Sequence, residues 1–159
     1  MMSFKNGVIH DVLIRELTKY HDHRGWLMEL FRSDSIAKEF LPEMSYISQT
    51  EPGIARGPHE HENQADLFCF IGPSTFRLYL WDARKSSPTV GFKMTFDAGE
   101  QKPQAVIIPP GVVHAYRNVG NTQGWVINLP NRLYAGKGRK EEVDEIRHEG
   151  DLQSPFKLD

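Results

Sequence analysis

Two histidine-bearing segments, 53–61 and 109–118, constrain this chain more than any other part of it. The first reads Gly53-Ile54-Ala55-Arg56-Gly57-Pro58-His59-Glu60-His61 and continues to Asp66 and Gly72; the second reads Pro109-Pro110-Gly111-Val112-Val113-His114-Ala115-Tyr116-Arg117-Asn118. Side chains alternate between the two faces of a strand, so His59 and His61 project to the same side. Two strands of a small barrel would then point His59, His61 and His114 into one pocket, and Asp66 would add a carboxylate. Three imidazole nitrogens and one carboxylate oxygen suit zinc, iron, nickel or manganese. The same imidazoles also suit proton transfer near neutral pH, and their spacing does not choose between the two.

The intervening residues set the fold class. Residues 75–81, with Phe76, Leu78 and Leu80 set against Arg77, Tyr79 and Trp81, carry the cleanest alternation in the chain. Further strands are expected at 8–15, 26–32, 44–50, 67–71, 90–96, 105–108, 114–118 and 125–129, broken by Gly and Pro. Many short strands at close spacing favour an antiparallel sandwich or barrel over a parallel α/β sheet. Two short helices are expected as minor additions. One is capped by Ser33 or Asp34, runs through Phe40 and is stopped by Pro42; the other spans 141–147.

At 159 residues the chain is expected to form one domain, 1–159, large enough to bury a core without disulfide staples. A net charge of −2 supplies no basic field, so a nucleic-acid partner is not expected. The single cysteine, Cys69, lies in an apolar run and reads as a small buried hydrophobe. No apolar run reaches the roughly 20 residues needed to cross a bilayer, and 1–7 lack the apolar centre of a signal peptide. A cytoplasmic protein without a membrane partner is the expectation.

The two histidine segments resemble the paired motifs of the cupin superfamily, with Asp66 where a Glu is usual and Pro109-x-Gly111-x-x-His114-x-x-x-Asn118 matching closely. That resemblance implies an all-β, double-stranded β-helix (jelly roll). Further stretches narrow it: Asp22-His23-Arg24-Gly25-Trp26-x-x-Glu29-x-Phe31-Arg32, Gly53-x-x-Arg56-Gly57-x-His59, Asp82-x-Arg84-Lys85-Ser86-Ser87-Pro88-Thr89-x-Gly91 and Ile108-Pro109-Pro110-Gly111-x-x-His114. In order and spacing these resemble the dTDP-4-dehydrorhamnose 3,5-epimerase family over most of the chain.

This second resemblance implies an isomerase acting on a nucleotide-linked 4-keto-6-deoxyhexose. Protons beside a ketone are acidic because the carbanion delocalises as an enolate, so a base on one face and an acid on the other invert the centre. By similarity His59 is the base and Tyr134 the acid. Asp151 is the carboxylate expected to orient His59, with Asp144 and Glu149 as competitors. Arg56 and His114 are expected to touch substrate, and Arg24 and Glu29 the nucleotide diphosphate. No cofactor is expected, and a homodimer is, because jelly rolls leave sheet edges to cover.

The chain also departs from the family. Glu60 and His61 follow the base where an aromatic and a Gln are usual, Ala65-Asp66 stands where a Lys is usual, and Met44 and Tyr46 replace Gln and Asn. Exchanging a cation for an anion disfavours an enolate unless another positive charge takes over. A metal held by His59, His61, Asp66 and His114 is therefore the alternative cofactor reading. A metal-dependent cupin enzyme on another small polar substrate, or a sugar-nucleotide binder without chemistry, are the alternative functions.

Overall fold

The computed structural model describes residues 3–159; Met1 and Met2, which open the stretch read for a signal peptide, lie outside it. Strands are numbered in chain order. One sheet is ordered β1 (Lys5–Asn6), β9 (Phe92–Gly99), β8 (Thr75–Asp82), β11 (Val112–Asn118), β6 (Ala55–Glu60), β13 (Ile146–Arg147). The second is ordered β2 (Leu13–Glu16), β10 (Gln104–Ile108), β7 (Asp66–Phe70), β12 (Gly124–Asn128), β5 (Tyr46–Thr50). The strands β3 (Tyr20–Asp22) and β4 (Gly25–Leu27) make a separate hairpin. Pairings are antiparallel apart from β1 with β9. The fold is the all-β jelly roll expected from the sequence.

Between the two sheets lie Phe76, Leu78 and Leu80 of β8, Phe68 and Phe70 of β7, Val106 and Ile108 of β10, and Val126 of β12. The alternation in β8 thus sends one set of side chains into the main core. Its other set, Tyr79 and Trp81, is also buried, because Phe4, Phe156 and Leu158 pack over that face with Val113 and Ala115. The outer face of the second sheet is covered in the same way: Leu67, Cys69, Ala105 and Ile107 lie under Met28, Leu30, Phe31, Ile36 and Phe40. Chain segments covering both outer faces explain why 67–71 reads as a continuous apolar run, as strands buried on both sides do. Cys69 is fully buried there, which pushes its thiol up to about 12.

Both expected helices are corrected. The segment after Asp34 forms only a single 3-10 turn, Lys38–Phe40, and Asp34 pairs with Arg32 rather than capping it. Residues 141–147 are not helical: β13 adds to the edge of β6, with Arg147 opposite His59 and Ile146 opposite Glu60. Val143 and Ile146 stay substantially exposed, so a helix would have gained little burial, whereas pairing satisfies open backbone groups on an edge strand. No helix among the described residues is long and apolar enough to cross a membrane.

Candidate active site

The two histidine motifs meet because β6 and β11 are neighbours, with His59 directly opposite His114 and a register shift between His114 and Tyr116. Gly57 permits this approach. Its φ is +82°, and a Cβ there would stand 2.5 Å from the His114 carbonyl oxygen. A second tie lies at the far end of the motifs, where the Gly111 N–H donates to the His61 carbonyl at 2.8 Å. His61 sits just beyond β6 and faces the same way as His59, as the strand alternation requires.

The three imidazoles form one cluster. Ring centres of His59 and His114 are 4.4 Å apart, and His61 stands 5.7 Å from the first and 5.8 Å from the second. Each ring offers a nitrogen within 4.8 Å of the others. Asp66, at the start of β7 in the opposite sheet, closes the group: its Oδ2 is 3.0 Å from His61 Nε2 and 3.4 Å from His114 Nε2. Its Oδ1 accepts from Gln64 Nε2 at 3.0 Å and Asn128 Nδ2 at 2.9 Å.

Hydrogen bonds behind the rings fix their tautomers. His114 Nδ1 donates to the Val112 carbonyl at 3.0 Å, and His61 Nδ1 donates to the Asp144 carbonyl. A carbonyl only accepts, so in each ring Nδ1 carries the hydrogen and Nε2 is turned toward Asp66. The Asp144 carboxylate holds the loop after His61 by accepting from the N–H groups of Glu62, Asn63 and Gln64.

Electrostatics differ across the cluster. Burial, followed by the neighbouring His114 and His61, lowers the His59 pKa to about 2, so this ring is neutral at physiological pH. Burial also opposes charge on His61, but contact with Asp66 and the Asp144 carbonyl outweigh it and raise its pKa to about 8. Burial works against the Asp66 charge as well, yet His114 and His61 hold its carboxyl well below the usual carboxylate range.

Beside the cluster lies a cavity of about 1110 Å³, lined among others by His59, His61, Arg56, Tyr46, Tyr116 and Tyr134. This is ample for a small-molecule ligand, whose pockets run about 300–1,000 Å³. Arg56 is braced by donating to Thr50 Oγ1 at 2.9 Å and to the Gln49 carbonyl at 2.7 Å. Of the residues expected from the sequence, His59, Arg56 and Tyr134 line the cavity, whereas His114 is buried against His59 outside the lining and so stands behind the base rather than facing a substrate.

One expectation is corrected. Asp151 does not approach His59: its carboxylate accepts from the Gln153 N–H, and it is exposed outside the cavity lining. The carboxylates facing His59 Nδ1 are Glu149 at 3.8 Å and Glu145 at 4.0 Å. Glu149 is anchored there by accepting the Gly57 N–H at 2.7 Å. Its place follows from β13 pairing with β6, which nothing in the local sequence announces. Arg24 and Glu29 lie outside the lining of their own chain's cavity; Arg24 is bound to Asp22 in the β3–β4 turn and Glu29 contacts Arg32. Gln64 and Asn128, which steady Asp66, carry no sequence signal beyond polarity within or beside apolar strands.

The Asp82–Thr89 run has a structural role. Asp82 is fully buried and accepts from Arg84 N, Nε and Nη2, Ser87 Oγ and Thr89 Oγ1, so the whole loop folds around one carboxylate. Asn118, which ends the second motif, donates to the Thr50 and Thr122 carbonyls and accepts from Ser74 Oγ.

Comparison with known proteins gives concordant matches. The family model of dTDP-4-dehydrorhamnose 3,5-epimerase matches residues 6–141. A probable low-salt glycan biosynthesis epimerase of Haloferax volcanii is 43% identical over 136 residues, 84% of this chain and 86% of that protein. A spore coat polysaccharide biosynthesis protein of Bacillus subtilis is 34% identical over 140 residues, 88% of this chain and 89% of its own. Among solved structures, a dTDP sugar isomerase from Desulfovibrio desulfuricans G20 superposes with a TM-score of 0.79 at 21% identity, covering 91% of this chain and 87% of that one. A dTDP-6-deoxy-D-glucose-3,5-epimerase from Legionella pneumophila, solved with dTDP-4-keto-L-rhamnose, superposes at 0.74 with 19% identity, covering 96% and 82%. At such identities these structures establish the shared fold.

Proposed function

Because the chain belongs to the dTDP-4-dehydrorhamnose 3,5-epimerase family, we propose that it epimerises a dTDP-linked 4-keto-6-deoxyhexose at carbon beside the ketone. His59 removes the proton, the electrons delocalise into the ketone as an enolate, and the Tyr134 hydroxyl returns a proton from the opposite face. The observation carrying this reading is that one cavity is lined by a partly buried imidazole, an arginine and a phenol, with two carboxylates behind the imidazole. A neutral ring has its lone pair free to accept, and Glu149 and Glu145 stabilise the imidazolium once formed, as carboxylates do behind other catalytic histidines. Arg56 supplies positive charge toward the sugar or its phosphates.

The enzyme in this reading is a cytoplasmic homodimer. Tyr20, Trp26 and Leu27 are half or more exposed on the β3–β4 hairpin, which leaves that arm apolar and open. Arg24 lies on that arm and Glu29 just after it, so they reach a nucleotide only if the arm extends to the cavity of a second copy. Sedimentation at micromolar concentration should give a species of twice 18.2 kDa; a monomer alone would remove both nucleotide contacts.

The deciding assay is incubation with dTDP-4-keto-6-deoxyglucose in D2O. Deuterium should enter the ring at carbon 3, carbon 5 or both, as read by mass spectrometry and NMR. Tight binding of the sugar nucleotide with no label taken up over hours would reduce the protein to a binder.

A further inference from the structure

One carboxylate fixes the hydrogen-bond directions at the inner end of the cavity. Tyr46 of β5 and Asn128 of β12 are cross-strand partners, so their side chains leave the sheet on the same face. Asn128 Nδ2 stands 2.9 Å from Asp66 Oδ1 and 2.8 Å from the Tyr46 hydroxyl. A carboxylate only accepts, so the amide nitrogen of Asn128, not its oxygen, must face Asp66. That nitrogen carries two hydrogens and gives one to each neighbour. The Tyr46 oxygen is therefore an acceptor in this contact, and its own hydrogen is not spent on it.

The unspent hydrogen has the cavity to point into. Tyr46 lines it together with His59 and Arg56. The residue as a whole is 48% exposed, yet its hydroxyl rests against Asn128, which is 2% exposed. Burial pushes the phenol up to about 12 against the opposing contact with Asn128, so the group stays a protonated donor through the neutral range. Tyr134, by contrast, is 58% exposed. Of the two phenols in the cavity, Tyr46 is the one whose hydroxyl is held from behind by a buried amide.

We propose that Tyr46 is a further catalytic residue, whose hydroxyl donates a hydrogen bond to the ketone oxygen of the substrate and holds the charge that forms there. This deepens the epimerase reading and rests on it. When His59 takes the proton beside the ketone, the C–H electron pair becomes a carbon–carbon double bond and the carbonyl pair moves onto oxygen. The Tyr46 hydrogen stays on Tyr46 throughout; the proton is on His59 and the charge on the enolate oxygen until Tyr134 protonates carbon. A donor already aimed at that oxygen strengthens its bond as charge develops, at no cost in reorganisation. Asp66, an anion just behind Asn128, would otherwise disfavour a second negative charge in the same place, and Tyr46 stands between them.

The test compares full-length parent and Tyr46→Phe on dTDP-4-keto-6-deoxyglucose in D2O. Tyr46 is on the edge strand β5, so loss of one oxygen should leave the melting curve close to that of the parent. The kcat for deuterium entry should fall about 10²–10³-fold while KM stays within about threefold, because the bond reaches full strength only in the transition state. Tyr46→Leu, a second way of removing the hydroxyl, should show the same loss. Inversion should fall in step with exchange. Substrate labelled at the ketone carbon should show its bound carbonyl stretch at lower frequency in the parent than in Tyr46→Phe, a readout that needs no turnover. An active parent with parental kcat in both variants overturns the donor and leaves the epimerase standing. Exchange kept while inversion is lost overturns it by making Tyr46 the acid. Equal carbonyl frequencies in parent and Tyr46→Phe overturn the donor whatever the exchange shows, whereas a parent that takes up no deuterium sinks the epimerase reading itself.

Discussion

Asp82 and Asp66 are both buried aspartates at an end of a strand, yet their surroundings are opposites. Asp82 accepts hydrogen bonds from Arg84, Ser87 and Thr89, all within its own loop, and none of those donors faces the cavity. Asp66 is held on one oxygen by Gln64 from a loop and Asn128 from β12, and its other oxygen faces two imidazoles. A carboxylate whose lone pairs are all answered locally stabilises a fold and has nothing left to offer a ligand. One whose neighbours, Gln64 and His61, also line the cavity belongs to the site. The run from Asp82 to Thr89 is by this measure scaffold, while His61 and Asp66 lie where the cavity and the histidine cluster meet.

Substitution should separate the two regions. The largest expected effect is on folding: Asp82→Ala removes the carboxylate that Arg84, Ser87 and Thr89 share, leaving Arg84 only the longer contact with Asp11 at 3.9 Å, and should cost about 3 kcal/mol in chemical denaturation, with exchange activity per folded molecule unchanged. A cost below about 1 kcal/mol would mean that the loop is not the staple described here. Next, His59→Ala should reduce deuterium exchange by about 10²–10⁴-fold with little change in stability, since a smaller side chain at the cavity wall leaves space that water can fill. Exchange at the parental rate would assign the base elsewhere.

Acid should act on the scaffold carboxylate in a defined window. Burial disfavours the Asp82 charge, but hydrogen bonds from Arg84, Ser87 and Thr89 prevail and hold its pKa at about 2. A carboxyl depressed on folding contributes stability above its unfolded pKa, about 3.9, and loses it as pH falls toward the folded value. Roughly 2–3 kcal/mol should disappear between about pH 4 and pH 2. In Asp82→Asn that part of the acid sensitivity should be absent from denaturation curves. The smallest effect expected is for Glu149→Gln, which removes a charge facing His59 while Glu145 remains: about a tenfold drop in exchange, restored in part by Glu149→Asp. A drop equal to that of His59→Ala would make Glu149 the sole partner of the base.

Much of this was legible in the chain because period-two alternation and Gly/Pro breaks are local signals. Residues 75–81 and 105–108 announce strands, and β8 and β10 occupy Thr75–Asp82 and Gln104–Ile108. The helix expected at 141–147 failed for the same reason that the carboxylate behind His59 was misassigned. Local pattern cannot register an open strand edge, and it was pairing of β13 with β6 that brought Glu149 rather than Asp151 to the base.

Read alone, the sequence determined the sandwich of short strands, the facing of His59 and His61 to one side, and the joining of two distant histidine motifs, since each follows from strand geometry and residue type. Tertiary structure decided which polar atoms are answered and which are not. The donors to Asp82 lie within 82–89, but what surrounds Asp66 arrives from distant strands and loops, and no stretch of sequence contains both that carboxylate and its neighbours.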